Sequence, residues 1–188
     1  MAKKQLIIDA AIELFAQQGY DNTSINAICA HAKVSKGAVF HHFANKEELL
    51  VEVFARMALI ISEINAELAP TNEGATPLAQ LENLLEQIFV GMALPQQRQY
   101  YLFDYQVRCH PNLKHLLQPQ LAERDALMLA SFESLLSELG SQQPRVDSLL
   151  LIAEIDGIAL NYLLAADDYP LTAMKQQFIN KYLSSYQQ

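Results

Sequence analysis

Cys109, His110 and His115 are the one group in this 188-residue chain whose types and closeness suggest metal chemistry. Pro111 begins a new helix beside them, so they surround a corner, and there is no second cysteine pair and no regular ligand spacing. No metal and no other cofactor is expected. The neighbouring histidines His41 and His42 read as part of an outward-facing helix. Catalysis finds no support either: there is no nucleophile-elbow glycine pattern, no phosphate-cradling loop and no H-E-x-x-H. An enzyme is not expected. Two other chemistries remain. Phe89, Tyr100, Tyr101, Phe103, Tyr105, Phe132 and Tyr162 suit the lining of an apolar cavity, with tyrosine hydroxyls to orient a guest. Lys36 and Lys46 sit where an anion would be welcome.

The elements that position those lysines lie within residues 15–50. A short helix from about Ser24 to Ala32 carries Ile25, Ile28, Cys29 and Ala32 on one face, at i, i+3, i+4 and i+7. A second begins after Ser35, a hydroxyl residue placed to cap it, and turns Val39 and Phe43 inward. Only Lys33 and Val34 separate the two, enough for a tight turn with Val34 as its plug. Two short helices so joined are a helix-turn-helix, whose second member can enter the major groove of DNA. Lys36, Gly37 and Ala38 open that second helix with one long cation and two side chains too small to obstruct close approach. Asn45 starts a further helix with Glu48 three residues on, a capping box. Lys46 stands in its first turn, where the helix dipole disfavours a cation unless an anion is near. A phosphate would serve.

Phe15, Gly19-Tyr20, Thr23-Ser24-Ile25, Ile28, Ala32, Val34-Ser35-Lys36-Gly37-Ala38, Phe40, His42-Phe43, Lys46-Glu47 and Leu49-Leu50 resemble the tetracycline-repressor (TetR) family in order and spacing, over roughly residues 4–50. The resemblance implies a three-helix DNA-binding unit followed by a helical domain for ligand binding and dimerisation. It implies a ligand pocket for the aromatic set. One departure stands out: many members carry tyrosine where this chain has Phe40. That hydroxyl often contacts a phosphate, and phenylalanine is left with packing or apolar contact with a thymine methyl.

Taken alone, the net charge of −8 argues against nucleic acid, but its distribution does not. Residues 1–50 balance five lysines against five acids, with the cations clustered near the turn, while residues 51–188 carry the whole deficit. Such asymmetry orients a molecule at a duplex. Cys29 and Cys109 are too few for a disulfide framework, and Cys29 lies on an inward face. Asp9 and Glu13 interrupt the first apolar run, which has helical period rather than a signal pattern, and no stretch reaches membrane-spanning length without charge. A cytoplasmic protein without a membrane partner is expected.

The rest of the chain reads as helix throughout. A first helix over residues 3–18 stops at Gly19, and a long one over 46–68 continues past the DNA-binding unit as a connecting rod. Residues 69–77 read as a loop. Helices follow over 78–94, 96–109 and 113–139, the last broken at Pro119, and a loop lies at Gly140 and Pro144. The segment 146–166 is apolar around nearly its whole circumference and must be buried on every side, which calls for a partner. With 171–186 it could form half of a four-helix bundle with a second copy, using Leu151, Ile155, Ile158, Tyr162, Phe178 and Tyr182. Glu154 and Asp156, inside the most apolar helix, are candidates for a ligand contact or an inter-subunit pair.

The expected architecture is all-α: a helix-turn-helix domain over residues 1–46 and a ligand-binding and dimerisation domain over 47–188. The expected function is a homodimeric, sequence-specific regulator, a repressor released from a near-palindromic double-stranded operator by a small hydrophobic or aromatic molecule. Thr23, Ser24, Ser35, Lys36, Gly37, Ala38, Phe40, His41, His42 and Lys46 form the DNA-facing set. The alternative is a small-molecule-binding helical protein without operator recognition.

Overall fold

The computed structural model describes residues 3–68, 74–165 and 168–186. The described residues form helices and connecting turns with no strand: α1 (Lys3–Gln18), α2 (Ile25–Ala32), α3 (Lys36–His42), α4 (Lys46–Leu68), α5 (Pro77–Ala93), α6 (Pro95–Cys109), α7 (Pro111–Leu116), α8 (Gln118–Glu138), α9 (Pro144–Leu164) and α10 (Leu171–Ser185). The all-α reading holds. Most of the loop expected over residues 69–77, the side chains of Ile61 and Ile64, and Ala166 lie outside the described residues. The break or kink expected at Pro119 is present as a break two residues earlier. Pro119 sits in the first turn of α8, where a missing N–H costs nothing, and the break falls at Leu117.

The chain divides into two compact units, Met1–Glu63 with Gln99–Gln120, and Ile64–Arg98 with Leu121–Gln188. In the first, α1 packs on α2 and α3. Its apolar stripe Ile7, Ala11 and Phe15 is completely buried, as are Ile28 of α2 and Val39 of α3. Each such side chain contributes about 1.5–3 kcal/mol if aliphatic or aromatic. Phe15 stacks on Phe103 of α6, with ring centroids 5.9 Å apart, and tilts against Tyr20 at 5.3 Å. Gly19 ends α1 at φ +81°, a conformation that favours glycine, and its N–H closes on the Phe15 carbonyl oxygen. The same role after α2 falls to Lys33, held at φ 54° although it has a side chain.

In the second unit, Leu81, Leu85, Phe89 and Met92 of α5 meet Phe132 and Leu136 of α8, Leu151 and Ile155 of α9, and Phe178, Ile179 and Leu183 of α10. Phe89 and Phe178 lie 5.5 Å apart at the centre of this cluster. Lys175 ties α10 to α5 through Glu86 at 2.7 Å.

Candidate nucleic-acid interface

The helix-turn-helix is capped at both starts by serine. Ser24 accepts the N–H of Ala27 at 3.1 Å and Ser35 accepts that of Ala38 at 3.2 Å. Each hydroxyl keeps its own hydrogen to donate outward, and both residues are exposed. Lys33 N–H and Val34 N–H return to the carbonyl oxygens of Ala30 and Cys29, closing the two-residue turn. Val39 and Phe43 anchor α3 inward, so the opposite side of the helix is free. That side carries Lys36, Gly37, Phe40 and His41, all exposed, with Ala38 and His42 half-buried beside them.

Phe40 is 45 % exposed, with the Lys36 ammonium 5.8 Å from its ring centre. A phenyl ring left in water on a recognition helix is available for apolar contact. Gly37 is informative for the opposite reason. A Cβ built there would meet only the Ser35 hydroxyl at 3.9 Å, so neither packing nor backbone conformation asks for glycine. Glycine inside a helix costs about 1 kcal/mol relative to alanine. Nothing within the unit offsets that cost.

Thr23 departs from expectation. It is completely buried, and its hydroxyl donates to the Gly19 carbonyl oxygen at 2.8 Å while accepting from the Gln18 amide at 3.1 Å. It holds the turn between α1 and α2 and presents nothing to a duplex. Lys46 is also partly engaged. Its ammonium donates to the Tyr20 carbonyl oxygen and lies 3.9 Å from the centre of the Tyr20 ring. Burial pulls the Lys46 pKa below its ordinary value, against the opposing pull of Asp21. The capping box is present in altered form: Asn45 accepts the Glu48 N–H at 2.7 Å, while the Glu48 carboxylate takes the N–H of Ala44. Lys4 is paired with Glu52 at 3.0 Å.

This geometry has known counterparts. The profile of the family described as "Bacterial regulatory proteins, tetR family" matches residues 7–53, from the core of α1 into α4. Residues 7–53 are a TetR-family DNA-binding module. The HTH-type transcriptional regulator AcrR of Shigella flexneri is 25 % identical over 97 % of this chain and 88 % of its own length. The fold extends as far. A TetR transcription regulator from Haloarcula marismortui superposes with a TM-score of 0.80 at 16 % identity, covering 99 % of this chain and 98 % of its own. The multidrug binding protein EbrR, solved in complex with malachite green, gives 0.70 at 21 % identity, covering 97 % and 98 %. The first four helices thus hold that helix-turn-helix and its continuation.

The aromatic set expected to line one cavity falls in both units. Phe89, Phe132 and Tyr162 belong to the second unit, whereas Tyr100, Tyr101, Phe103 and Tyr105 belong to the first, where Phe103 is buried against Phe15. A groove of about 350 Å³ in the second unit is lined instead by residues of α9 and α10 with Tyr169, among them Glu154, Ile158, Asn161 and Phe178. The residues expected at a dimer interface divide too. Leu151, Ile155 and Phe178 are buried in the unit's own core, and Ile158, Tyr162 and Tyr182 are half-buried. The apolar side chains that α9 leaves in solvent are Val146, Leu149, Leu150 and Leu164, the last 64 % exposed. Glu154 is engaged within its own chain by Lys181 at 2.6 Å and by the Tyr182 hydroxyl at 2.7 Å.

At the corner of Cys109, His110 and His115, His110 caps α7: its Nδ1 accepts the Leu113 N–H at 3.4 Å while its Nε2 faces Asp21 at 3.4 Å. Cys109 and His115 are exposed. Among the described residues no three His, Cys, Asp or Glu side chains converge for a metal, and no helix is long and apolar enough to cross a membrane. Two features escaped sequence reading. Tyr20 carries both its ring and its carbonyl to Lys46, and the side chain of Gln97 is buried without a partner among the described residues.

Proposed function

We propose that this protein is a homodimeric transcriptional repressor that reads a near-palindromic operator and is released by a small hydrophobic molecule. Residues 1–46 serve as the reading head, and residues 47–188 bind the ligand and the second copy. The observation that carries the reading is Gly37. It stands on the exposed side of α3 between Lys36 and Phe40, where no internal contact needs it. A missing Cβ there lets the helix approach a duplex closely. Lys36, Gly37, Ala38 and Phe40 face base edges and thymine methyls, while Ser24, Ser35, His41, His42 and Lys46 hold the backbone. Thr23 supports this set from inside.

Dimerisation follows from the exposed leucines of α9, because one copy contacts only one half-site. The four-helix arrangement proposed for it uses the outer face of α9 together with α10. Release requires that the ligand bind better to a state in which the two reading helices miss the spacing of about 34–36 Å between successive major grooves. α4, continuous from Lys46 to Leu68, is the element proposed to carry that change. The likeness in fold to EbrR, a chain that holds malachite green, supports a small-molecule effector.

The test is selection of fragmented genomic DNA on the purified protein followed by sequencing. One enriched palindrome is the expected result. No enrichment at low salt would favour a ligand-binding protein without an operator.

A further inference from the structure

Gln97 lies in the first turn of α6 and is completely buried, yet neither its amide nitrogen nor its amide oxygen has a hydrogen-bond partner among the described residues. Its main chain is satisfied, since the Gln97 N–H donates to the Leu94 carbonyl oxygen at 2.9 Å. The unmet demand is therefore in the side chain alone. Burying a carboxamide strips two N–H donors and a carbonyl oxygen of water, and folded chains leave very few such groups unpaired. A leucine or methionine would fill a similar volume without that cost.

The chemistry of the surroundings narrows what the amide can take. α5 ends at Ala93, just before it, with Phe89 and Met92 buried in the apolar cluster of the same unit. Arg98 follows in sequence but points about 100° further round the helix. Its guanidinium is committed elsewhere, to the Leu163 carbonyl oxygen at 3.2 Å and to the face of Tyr162 at 5.6 Å. With that guanidinium engaged, a charged head group drawn out of water beside a neutral amide would cost far more than an uncharged one.

We infer that Gln97 is the polar anchor of the effector site and takes an uncharged head group with a donor and an acceptor side by side, a primary carboxamide on an apolar body. The guest's N–H donates to Oε1 while its carbonyl accepts from Nε2, a planar pair that satisfies one donor and the acceptor of the side chain at once. This rests on the ligand-responsive reading above and adds the chemical class to it.

Three fluorescent probes matched in their ring system test it: naphthamide, methyl naphthoate and methylnaphthalene, substituted at the same ring position and titrated into the full chain. The wild type is expected to bind naphthamide at least about tenfold more tightly than methylnaphthalene, with the ester between them. Gln97→Leu is expected to bind all three alike and to melt no lower than the wild type; Gln97→Met gives the same reading should the leucine variant not fold. A wild type that binds methylnaphthalene as well as naphthamide, or a preference that survives in Gln97→Leu, overturns the role of Gln97 and leaves the ligand-responsive reading standing. No binding of any probe to the wild type removes both.

Discussion

Lys46 and Tyr20 are joined twice, by a hydrogen bond from the ammonium to the tyrosine carbonyl oxygen and by the ammonium resting 3.9 Å from the ring centre. The pair fastens the first turn of α4 to the turn between α1 and α2, so the base of the reading head is held by a side chain that is itself cationic. The hydrogen bond to Tyr20 uses one of the three N–H donors of Lys46, and burial lowers its pKa against the opposing pull of Asp21. An approaching phosphate would offset the effect of that burial. Lys46→Ala is therefore expected to lower stability by about 1–2 kcal/mol. It should weaken binding to every duplex alike and reduce the salt slope of log affinity by about 0.9. Denaturant unfolding and a salt titration measure the two effects separately. An unchanged slope would assign Lys46 to the Tyr20 clamp alone.

Gly37 separates stability from recognition. With 3.9 Å to the nearest atom beyond its chain neighbours, a methyl group fits without displacement. Gly37→Ala is expected to stabilise the free protein by about 0.5–1 kcal/mol through helix propensity. The same methyl group should cost at least about tenfold in operator affinity where α3 meets the groove. Thermal melts and gel-shift titrations on one preparation check both signs. Unchanged affinity would place Gly37 away from the duplex.

Glu154 supplies a pH dependence. Hydrogen bonds from Lys181, and then from Tyr182, draw its pKa below the ordinary value of 4.5, with burial opposing. The folded carboxylate thus holds fewer protons than the unfolded one in the window beneath that value. Its contribution is complete above pH 4.5 and is lost as the pH falls through the lowered folded pKa. Glu154→Gln should flatten the acid limb of a stability–pH curve and leave stability near neutrality little changed beyond the lost ion pair. Parallel acid limbs in both proteins would show that the contact does not persist in solution.

The reading head was legible because its helices are amphipathic: Ile28, Val39 and Phe43 repeat at helical spacing and all point inward. Thr23 was misplaced because a short polar residue in a turn looks like surface, and its hydroxyl is consumed by a carbonyl four residues back. Gln97 was overlooked on the same logic, as a glutamine in a first turn reads as solvated. Phe103 was assigned to a cavity because nothing in the sequence joins it to Phe15, far away along the chain. α9 is the opposite case. A helix apolar all round has no period from which to tell its faces, and the structure buries Leu151 and Ile155 in the unit's own core while Leu149 and Leu150 stand exposed.

That burial pattern yields the last prediction. Leu150 is 59 % exposed, on the same side of α9 as Val146, one turn before it. Leu151, its neighbour, is wholly buried in the cluster with Leu81 and Phe132. Leu150→Glu leaves that cluster intact, so the variant should keep its helical signal and melt cooperatively. In the dimer proposed above, where the outer face of α9 meets a second copy, that carboxylate must instead be buried away from water. Sedimentation equilibrium should show the dimer weakened by at least about a hundredfold, and operator affinity should fall with it because single half-sites bind poorly. Leu151→Glu makes the contrast: it puts a charge in the core and should unfold the second unit instead of separating two folded copies. A Leu150→Glu protein that remains dimeric would move the interface off the outer face of α9.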